Sequence, residues 1–318
     1  MGFFLLVFLI FSFTPQIDAG TPWLRLPVEP SRLLLAPGGR YLAFVEGESS
    51  QKLKILNLEN RKIWSVAPLG KSPSLLWSPD GYRMFYRTLR RQGKSVSSHL
   101  QAWDGVLHKS VDLESFPHKT GHLSFDPATW KIYLPFLNGV HSRQLKIKGL
   151  APGMDKFKGS YVVTPKGVLW VNAAQRTKYL NEKKGKTRLI QSFDVCPQGR
   201  CIVWSTHAEE IYLSQDGGDP KQIGWGADPK WSPDGRFIAF SGSRRIGMKT
   251  YQYDLRVVDL KGQGTWLTKT SDANERWPQW ESHTSLIHAV EKSTDIYRFG
   301  LPVSRFFSRV RSSKVKPM

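Results

Sequence analysis

The string Trp-Ser-Pro-Asp-Gly occurs twice, at residues 77–81 and 231–235, and no other feature narrows the possible folds of this 318-residue chain as much. Ser-Pro-Asp-Gly suits a type I turn: serine comes first, proline with its preset φ second, and glycine last. Taking the proline as an anchor, weaker copies follow at Pro37, Pro127, Pro165 and Pro197, with a seventh site at Ser282 where the proline is lost. The steps between anchors are 42, 48, 38, 32, 36 and 49 residues. Two residues before the anchor stand Leu35, Trp77, Phe125, Val163, Val195, Trp231 and Trp280. Five after it stand Leu42, Met84, Ile132, Trp170, Ile202, Ile238 and Ile287. In a chain that is 40% hydrophobic, fourteen apolar matches arise by chance with odds of roughly three in a million. Seven after the anchor the pattern holds as well, except at Asn172.

A mean step of about 41 residues is the period of a four-stranded propeller blade. The strand after each turn, as in Arg236-Phe237-Ile238-Ala239-Phe240, is apolar on both faces, as an inner strand between neighbouring blades must be. Glu210 to Ser214 followed by Asp216-Gly217-Gly218 reads as a third strand and a turn into a fourth. An open sheet leaves edges and a closed ring removes them. The seventh repeat supplies three strands, and Trp23 to Leu26 supplies the missing outer one. The expected fold is therefore all-β: a β-propeller of seven four-stranded blades, closed by pairing of its N- and C-terminal strands. Six blades, with one degenerate repeat misjudged, is the alternative.

Residues 231–240, Trp-Ser-Pro-Asp-Gly-Arg-Phe-Ile-Ala-Phe, resemble the PD40 repeat of TolB-like proteins, a relative of WD40, and residues 77–86 are similar. The period extends the resemblance over most of the chain, while the motif itself is specific in these two copies. The resemblance implies a propeller that holds partners on one face. TolB itself has an α/β domain ahead of its propeller, and this chain leaves no room for one, so its Tol-Pal role is not carried over.

Phe3 to Phe13 is an almost unbroken apolar run, too short to span a bilayer, followed by Ile17-Asp18-Ala19. A small residue stands where signal peptidase would cut, so residues 1–19 read as a secretory signal peptide cleaved after Ala19 or Gly20. An uncleaved interfacial anchor is the alternative. The organisation expected is a signal peptide over 1–19, the propeller over 20–304 and a basic tail over 305–318, in a periplasmic or secreted protein. Losing residues 1–19 removes one acid and no base, which raises the net charge from +20 to +21. Such a balance seeks anionic partners. Export favours a protein partner or an anionic envelope polymer over nucleic acid. The tail, with Arg305, Arg309, Arg311, Lys314 and Lys316, reads as solvated, with peripheral contact to a membrane surface as the sharper possibility. A monomer is expected.

Catalytic signatures are missing from the chain: it has no Gly-x-Ser-x-Gly, His-Glu-x-x-His, phosphate loop or EF-hand loop. His118 and His122 have the spacing of a helical metal pair, but Pro117 and Gly121 place them in a loop, so neither a metal nor another cofactor is expected. Glu209-Glu210 reads as a solvated strand end. The Asp216–Asp219 turn has calcium-type oxygens that turn chemistry already explains. Cys196 and Cys201 enclose Pro-Gln-Gly-Arg, a tight turn, and in an oxidising compartment they suggest a disulfide.

The basic residues give the candidate binding site. Loops between second and third strands share one face of a propeller, and they carry Arg90, Arg91, Lys94, Arg143, Arg176, Lys178, Arg244, Arg245 and Lys249. Around a pore these would form a positive funnel. Arg40, Arg83, Arg200 and Arg236 lie at the opposite face, so general basicity is the competing explanation. The functional expectation is a non-catalytic scaffold that binds a protein or ligand in the cell envelope. Its alternative is a lyase or hydrolase acting on an acidic glycan at the pore, and a third reading is a lectin-like domain using exposed tryptophans.

Overall fold

The computed structural model describes residues 22–69, 74–116, 122–126, 131–136, 139–144, 159–164, 167–172, 177–180, 189–245 and 251–301. Every regular element among them is a β-strand. β1 (Pro22–Arg25) comes first, and the strands after it follow the repeat. β2 (Pro30–Leu35), β3 (Tyr41–Glu46), β4 (Lys52–Asn57) and β5 (Ile63–Pro68) form one antiparallel sheet. β6 (Leu75–Trp77), β7 (Arg83–Gln92), β8 (Ser95–Asp104) and β9 (Lys109–Phe116) form the second. Three-stranded sheets follow, from β10 (Ser124–Asp126), β11 (Lys131–Phe136) and β12 (Gly139–Gln144), and from β13 (Gly159–Thr164), β14 (Gly167–Asn172) and β15 (Thr177–Leu180).

The next seven strands are hydrogen-bonded in order: β16 (Ile190–Val195), β17 (Cys201–Thr206), β18 (Glu210–Gln215), β19 (Lys221–Trp231), β20 (Phe237–Arg245), β21 (Tyr251–Asp259) and β22 (Gly264–Trp266). They are two units that share one strand. Residues Lys221 to Trp225 of β19 pair with β18, whereas Gly226 to Trp231 pair with β20. The changeover falls at Gly226, with φ +146, where a Cβ would stand 2.1 Å from the Ser241 carbonyl oxygen, so only glycine fits. β23 (Glu275–Ser282), β24 (Ser285–Val290) and β25 (Asp295–Gly300) complete the series, and β1 adds to the outer edge of β25. Among the described residues the strands thus form seven antiparallel units.

The repeat turn explains the local structure. Gly81 N–H donates to Ser78 O (2.9 Å) and closes the turn, while Arg83 N–H donates to Ser78 Oγ (2.9 Å). The second copy matches, with Gly235 N–H to Ser232 O at 2.8 Å and Phe237 N–H to Ser232 Oγ at 2.9 Å. In each copy the serine hydroxyl donates to the turn aspartate, Asp80 or Asp234, so one side chain organises the whole hairpin. Gly81 sits at φ +72 with its α-carbon against Pro37 of the preceding turn, which packs adjacent turns together.

All seven residues five positions after the anchor are buried, from Leu42 to Ile287. They fill the spaces between sheets rather than the middle of any one sheet. Met84 and Tyr86 of the second sheet join Ala43, Val45 and Ile55 of the first. Ile132 and Leu134 join Phe85 and Leu100. Trp170 meets Ile202 and Trp204, and Val203 and Ile211 meet Ile238 and Phe240. Leu255 and Val257 meet Leu286, and Ile287 and Ile296 meet Leu33, Leu42 and Phe44 of the first sheet. With β10 and β11 lying against β13, the packing returns to its start.

Candidate functional site

The first strand of each unit has one edge with no strand beside it, and its N–H groups need other acceptors. Polar side chains from the preceding unit supply them. Leu123 N–H donates to Ser74 Oγ, Val163 N–H to Ser124 Oγ (3.0 Å) and Asp228 N–H to Ser192 Oγ (3.1 Å). Trp231 N–H donates to Asp194 Oδ2 (2.9 Å), and Leu35 N–H to Gln279 Oε1 of the last unit (3.4 Å). The repeat tryptophans add a second set of bonds in the same sense. Trp77 Nε1 donates to Leu34 O (3.1 Å), Trp231 Nε1 to Asp194 O (3.2 Å) and Trp280 Nε1 to Lys230 O (3.0 Å). The tryptophan two residues before the anchor is therefore an inter-sheet tie as well as an apolar filler.

These first strands enclose a cavity of about 640 Å³ that reaches the proline-turn end. Pro37, Pro79, Pro197 and Pro233 stand with Trp77, Trp231 and Trp280 in its wall, and Leu35, Phe125 and Phe193 line it as well. Its ionisable lining includes Arg32, His122, Asp194, Lys230 and Glu281. Asp194 is held by Lys230 at 3.3 Å besides the Trp231 N–H. Glu281 accepts from Arg298 (2.5 Å) and Ser285 (2.8 Å). Burial pushes His122 down to about 4, and the charges of Arg32 and Arg87 push in the same direction. The imidazole is neutral at physiological pH.

Toward the other end of the same strands lies a paired cluster. Arg276 is bound by Asp228 (2.9 Å) and Glu291 (2.8 Å), with its guanidinium 4.4 Å from the centre of the Tyr253 ring. Burial pulls Arg276 down, but the charges of Asp228 and Glu291 outweigh it. Tyr253 donates to Glu209, and burial together with this bond holds the phenol well above its usual range. Glu210 is 7% exposed, which corrects the reading of Glu209-Glu210 as a solvated strand end. Glu209 serves Tyr253 and Glu210 goes inward. In the Asp216 turn, Arg200 takes both carboxylate oxygens at 2.9 and 2.6 Å, so that aspartate completes an ion pair.

Among the described residues, four of those expected to form a positive funnel are held in ion pairs. Arg90, near the end of β7, pairs with Asp112 (3.4 Å), and Arg143, on β12, with Glu114 (3.5 Å). Arg244 is committed to the fully buried Asp254 at 2.6 Å. Lys178 lies within β15 and reaches Asp219 (2.9 Å) in the turn between β18 and β19, which belongs to the proline-turn end. Arg91 and Lys94 are exposed around the β7–β8 hairpin. Arg245 ends β20, and Arg176, Lys249 and His118 lie outside the described residues, as do residues 1–21 and the basic tail. The opposite face is paired in the same way, with Arg40 to Glu59 (3.5 Å), Arg83 to Asp104 (3.3 Å) and Arg236 to Asp234 (2.7 Å). A strand that carries arginine thus has acids on neighbouring strands and turns, which one-dimensional charge counting misses.

The cavity residues were missed although the repeat alignment contains their signal. Five residues before the anchors stand Arg32, Ser74, His122, Ser160, Ser192, Asp228 and Trp277, six of them polar beside a strand position that is always apolar. That polar column is the one that faces the channel at Arg32 and His122.

Both cysteines are free thiols in the structure, so the expected disulfide is not what the geometry displays. Cys196 occupies the place of the turn serine: Gly199 N–H donates to Cys196 O (2.8 Å) and Cys201 N–H to Cys196 Sγ (2.9 Å). The thiol does what Ser78 and Ser232 do in their turns. Cys196→Ser should therefore change stability by less than about 0.5 kcal/mol, whereas Cys196→Ala should lose the acceptor and cost about 1 kcal/mol. Urea unfolding of both variants checks this, and equal losses would remove the turn role. Alkylation of the non-reduced protein, counted by mass, tests the bridge separately.

No family model and no curated protein matches the chain. Solved structures match it at the level of fold. A chain of the mitotic checkpoint complex superposes with a TM-score of 0.56 at 13% identity, over 94% of this chain and 99% of that one. A Bacteroides thetaiotaomicron protein of unknown function gives 0.54 at 11%, over 86% and 70%. The Cps50 (Swd1) β-propeller domain of Myceliophteria thermophila gives 0.52 at 16%, over 87% and 98%. The fold is that of a β-propeller.

Proposed function

We propose that this chain is a non-catalytic binding platform, an exported seven-bladed propeller fastened by its terminal strands, which receives a partner at the proline-turn mouth of its channel. The cavity of about 640 Å³ carries the reading. Its size is that of an ordinary ligand pocket, and its wall is mostly apolar with a few convergent polar groups. Acid–base chemistry is disfavoured there because Asp194 and Glu281, the carboxylates of the lining, are already spent on N–H groups, a hydroxyl and cations. The propeller fold is consistent with a protein partner, and the basic balance of the chain favours an anionic one.

A photo-crosslinking residue placed at Gln198, exposed at the mouth, should trap one discrete partner, while the same residue at Arg91 or Lys94 should trap none. Equal capture at both ends, or none at either, would refute the assignment. Export predicts a mature N-terminus at Gly20 or Thr21 in the same preparation.

A further inference from the structure

The turn between β8 and β9 departs from its counterpart in the preceding blade in a way that folding does not require. Asp104 Oδ1 accepts the N–H groups of Val106 (2.9 Å) and Leu107 (3.0 Å), and His108 follows at φ +52. In the turn between β4 and β5, Asn57 Oδ1 accepts those of Glu59 (2.8 Å) and Asn60 (3.3 Å), and Arg61 follows at φ +62. The two turns share one frame, in which the capping side chain sets the backbone. The tip residues do not set it: they are polar in the first blade and aliphatic in the second. Val106 is 71% and Leu107 65% exposed, more than any other large apolar residue among those described. Adjacent and this far out, they form a protruding tip rather than the wall of a groove.

Aromatic rings and cations surround the tip. Gly105 N–H donates to Tyr82 O (2.8 Å), which places Tyr82 beside it, and His108 stacks on Trp64 with ring centres 4.4 Å apart. Lys62 Nζ stands 5.4 Å from the centre of the Trp64 ring, and the Arg40 guanidinium 5.2 Å from that of Tyr82. The nearby acids have partners of their own. Asp104 is held by Arg83 (3.3 Å), Glu59 pairs with Arg40 (3.5 Å), and Asp80 accepts from Ser78 and from Tyr82 N–H (3.1 Å). Arg61, Lys62 and Lys109 are exposed and have no ion pair among the described residues. Aliphatic side chains outermost, amphipathic rings behind them and cations around both follow the order of an anionic lipid surface, from acyl boundary to headgroup to phosphate. A protein partner would need a pocket shaped to this tip, whereas lipid closes around it without one.

We infer that the β8–β9 turn is a docking tip for an anionic membrane surface. Val106 and Leu107 enter the acyl boundary, Tyr82, Trp64 and His108 lie at headgroup level, and Arg61, Lys62 and Lys109 meet the phosphates. The inference goes beyond the channel reading and does not depend on it.

Co-sedimentation of the mature chain with vesicles of phosphatidylglycerol and phosphatidylcholine checks this, against vesicles of phosphatidylcholine alone. The parent should bind the mixed vesicles at least about tenfold more tightly than the neutral ones. Val106→Ser with Leu107→Ser removes no charge and should weaken that binding at least about tenfold. Lys62→Gln with Lys109→Gln should weaken it by a similar factor. Arg91→Gln with Lys94→Gln, on the β7–β8 hairpin at the other end of the blade, should change it less than about threefold, because charges far from the surface are screened. The basic tail is present in every variant, so the differences belong to the substituted positions. All three variants should melt with the parent, since these side chains are exposed and Asp104 is untouched.

Absence of binding to the mixed vesicles would overturn the lipid assignment. So would a serine variant that binds as the parent does, which would leave adhesion by net charge alone. A dimer seen in sedimentation and lost in the serine variant would assign the tip to a second copy of the chain instead. A protein crosslinked through a probe at Leu107, with no binding to vesicles, would assign it to a protein partner.

Discussion

A chain that starts at Glu29 should lose at least about 5 kcal/mol, much of the stability of an ordinary domain, and should melt more than about 10 °C below the parent. The missing segment includes β1, which covers the outer edge of β25 through pairs such as Leu24 with Ile296. It also includes Leu26, 2% exposed, whose side chain packs with Leu33, Phe44, Ile287 and Ile296 and whose N–H donates to Thr294 O at 2.8 Å. Burial of one such leucine contributes about 1.5–3 kcal/mol, the cavity it leaves adds more, and Trp23, Leu24 and Val28 pack on the same cluster. The loss should spread beyond the edge, because this cluster joins the last blade to the first. Calorimetry of the shortened and parent chains decides the matter. Arg25→Ala is the control: it breaks only the exposed contact to Asp295 and should melt with the parent. A shortened chain within about 3 °C of the parent would show that β1 closes nothing.

Glu275→Gln should make the protein more stable at pH 8 by as much as about 3 kcal/mol and leave it nearly unchanged at pH 4. Glu275 is fully buried, accepts from Thr268 Oγ1 at 2.5 Å, and has its other oxygen without a partner. Burial pushes its carboxyl from 4.5 up to about 7, with the Asp254 charge adding to the effect and the Thr268 hydroxyl opposing it. Between those two values the folded chain holds a proton that the unfolded chain has released. The group therefore favours the fold at low pH, and its contribution fades as pH rises toward 7. His122 and His288 act in the opposite direction, since burial pushes each from 6.5 down to about 4, and their contribution is lost as pH falls through that window. The variant minus parent difference isolates Glu275. It should grow from pH 4.5 to 7 and then stay level in urea unfolding, and a difference independent of pH would show that the carboxyl is ionised in the fold.

Residues such as Leu42, Tyr86 and Ile238 made the architecture readable, because packing between blades demands apolar groups at a fixed distance from a fixed turn. Trp231 was readable as core but not as a hydrogen-bond donor, since its acceptor, the Asp194 carbonyl, lies on another blade. Cys196 was readable as half of a possible bridge but not as a backbone acceptor, and only comparison with Ser78 and Ser232 reveals a side chain that accepts a backbone N–H. The funnel reading misplaced Arg244 because a side chain placed in a loop by pattern belongs to β20, where it faces Gln252 and pairs diagonally with Asp254 on β21. Position in sequence located the cations, whereas cross-strand neighbours determined what each one is free to do.

The inter-blade bonds donated by first-strand N–H groups and by the repeat tryptophans all have one direction. Asp194 and Ser192 receive bonds from the next blade, Lys230 O receives one from the blade after that, and Gln279 receives one from the first blade across the seam. Each blade thus has a giving flank and a taking flank, and neighbours join head to tail, as subunits do in a cyclic oligomer. A junction of that kind does not fix how many members the ring has: the same bonds would form in a ring with one blade more or fewer, and closure depends on the angle at which each blade leans on the next. Gain or loss of a whole repeat is consequently a change this molecule can absorb without inventing a new contact, whereas any arc short of closure would carry unsatisfied donors at one end and unsatisfied acceptors at the other.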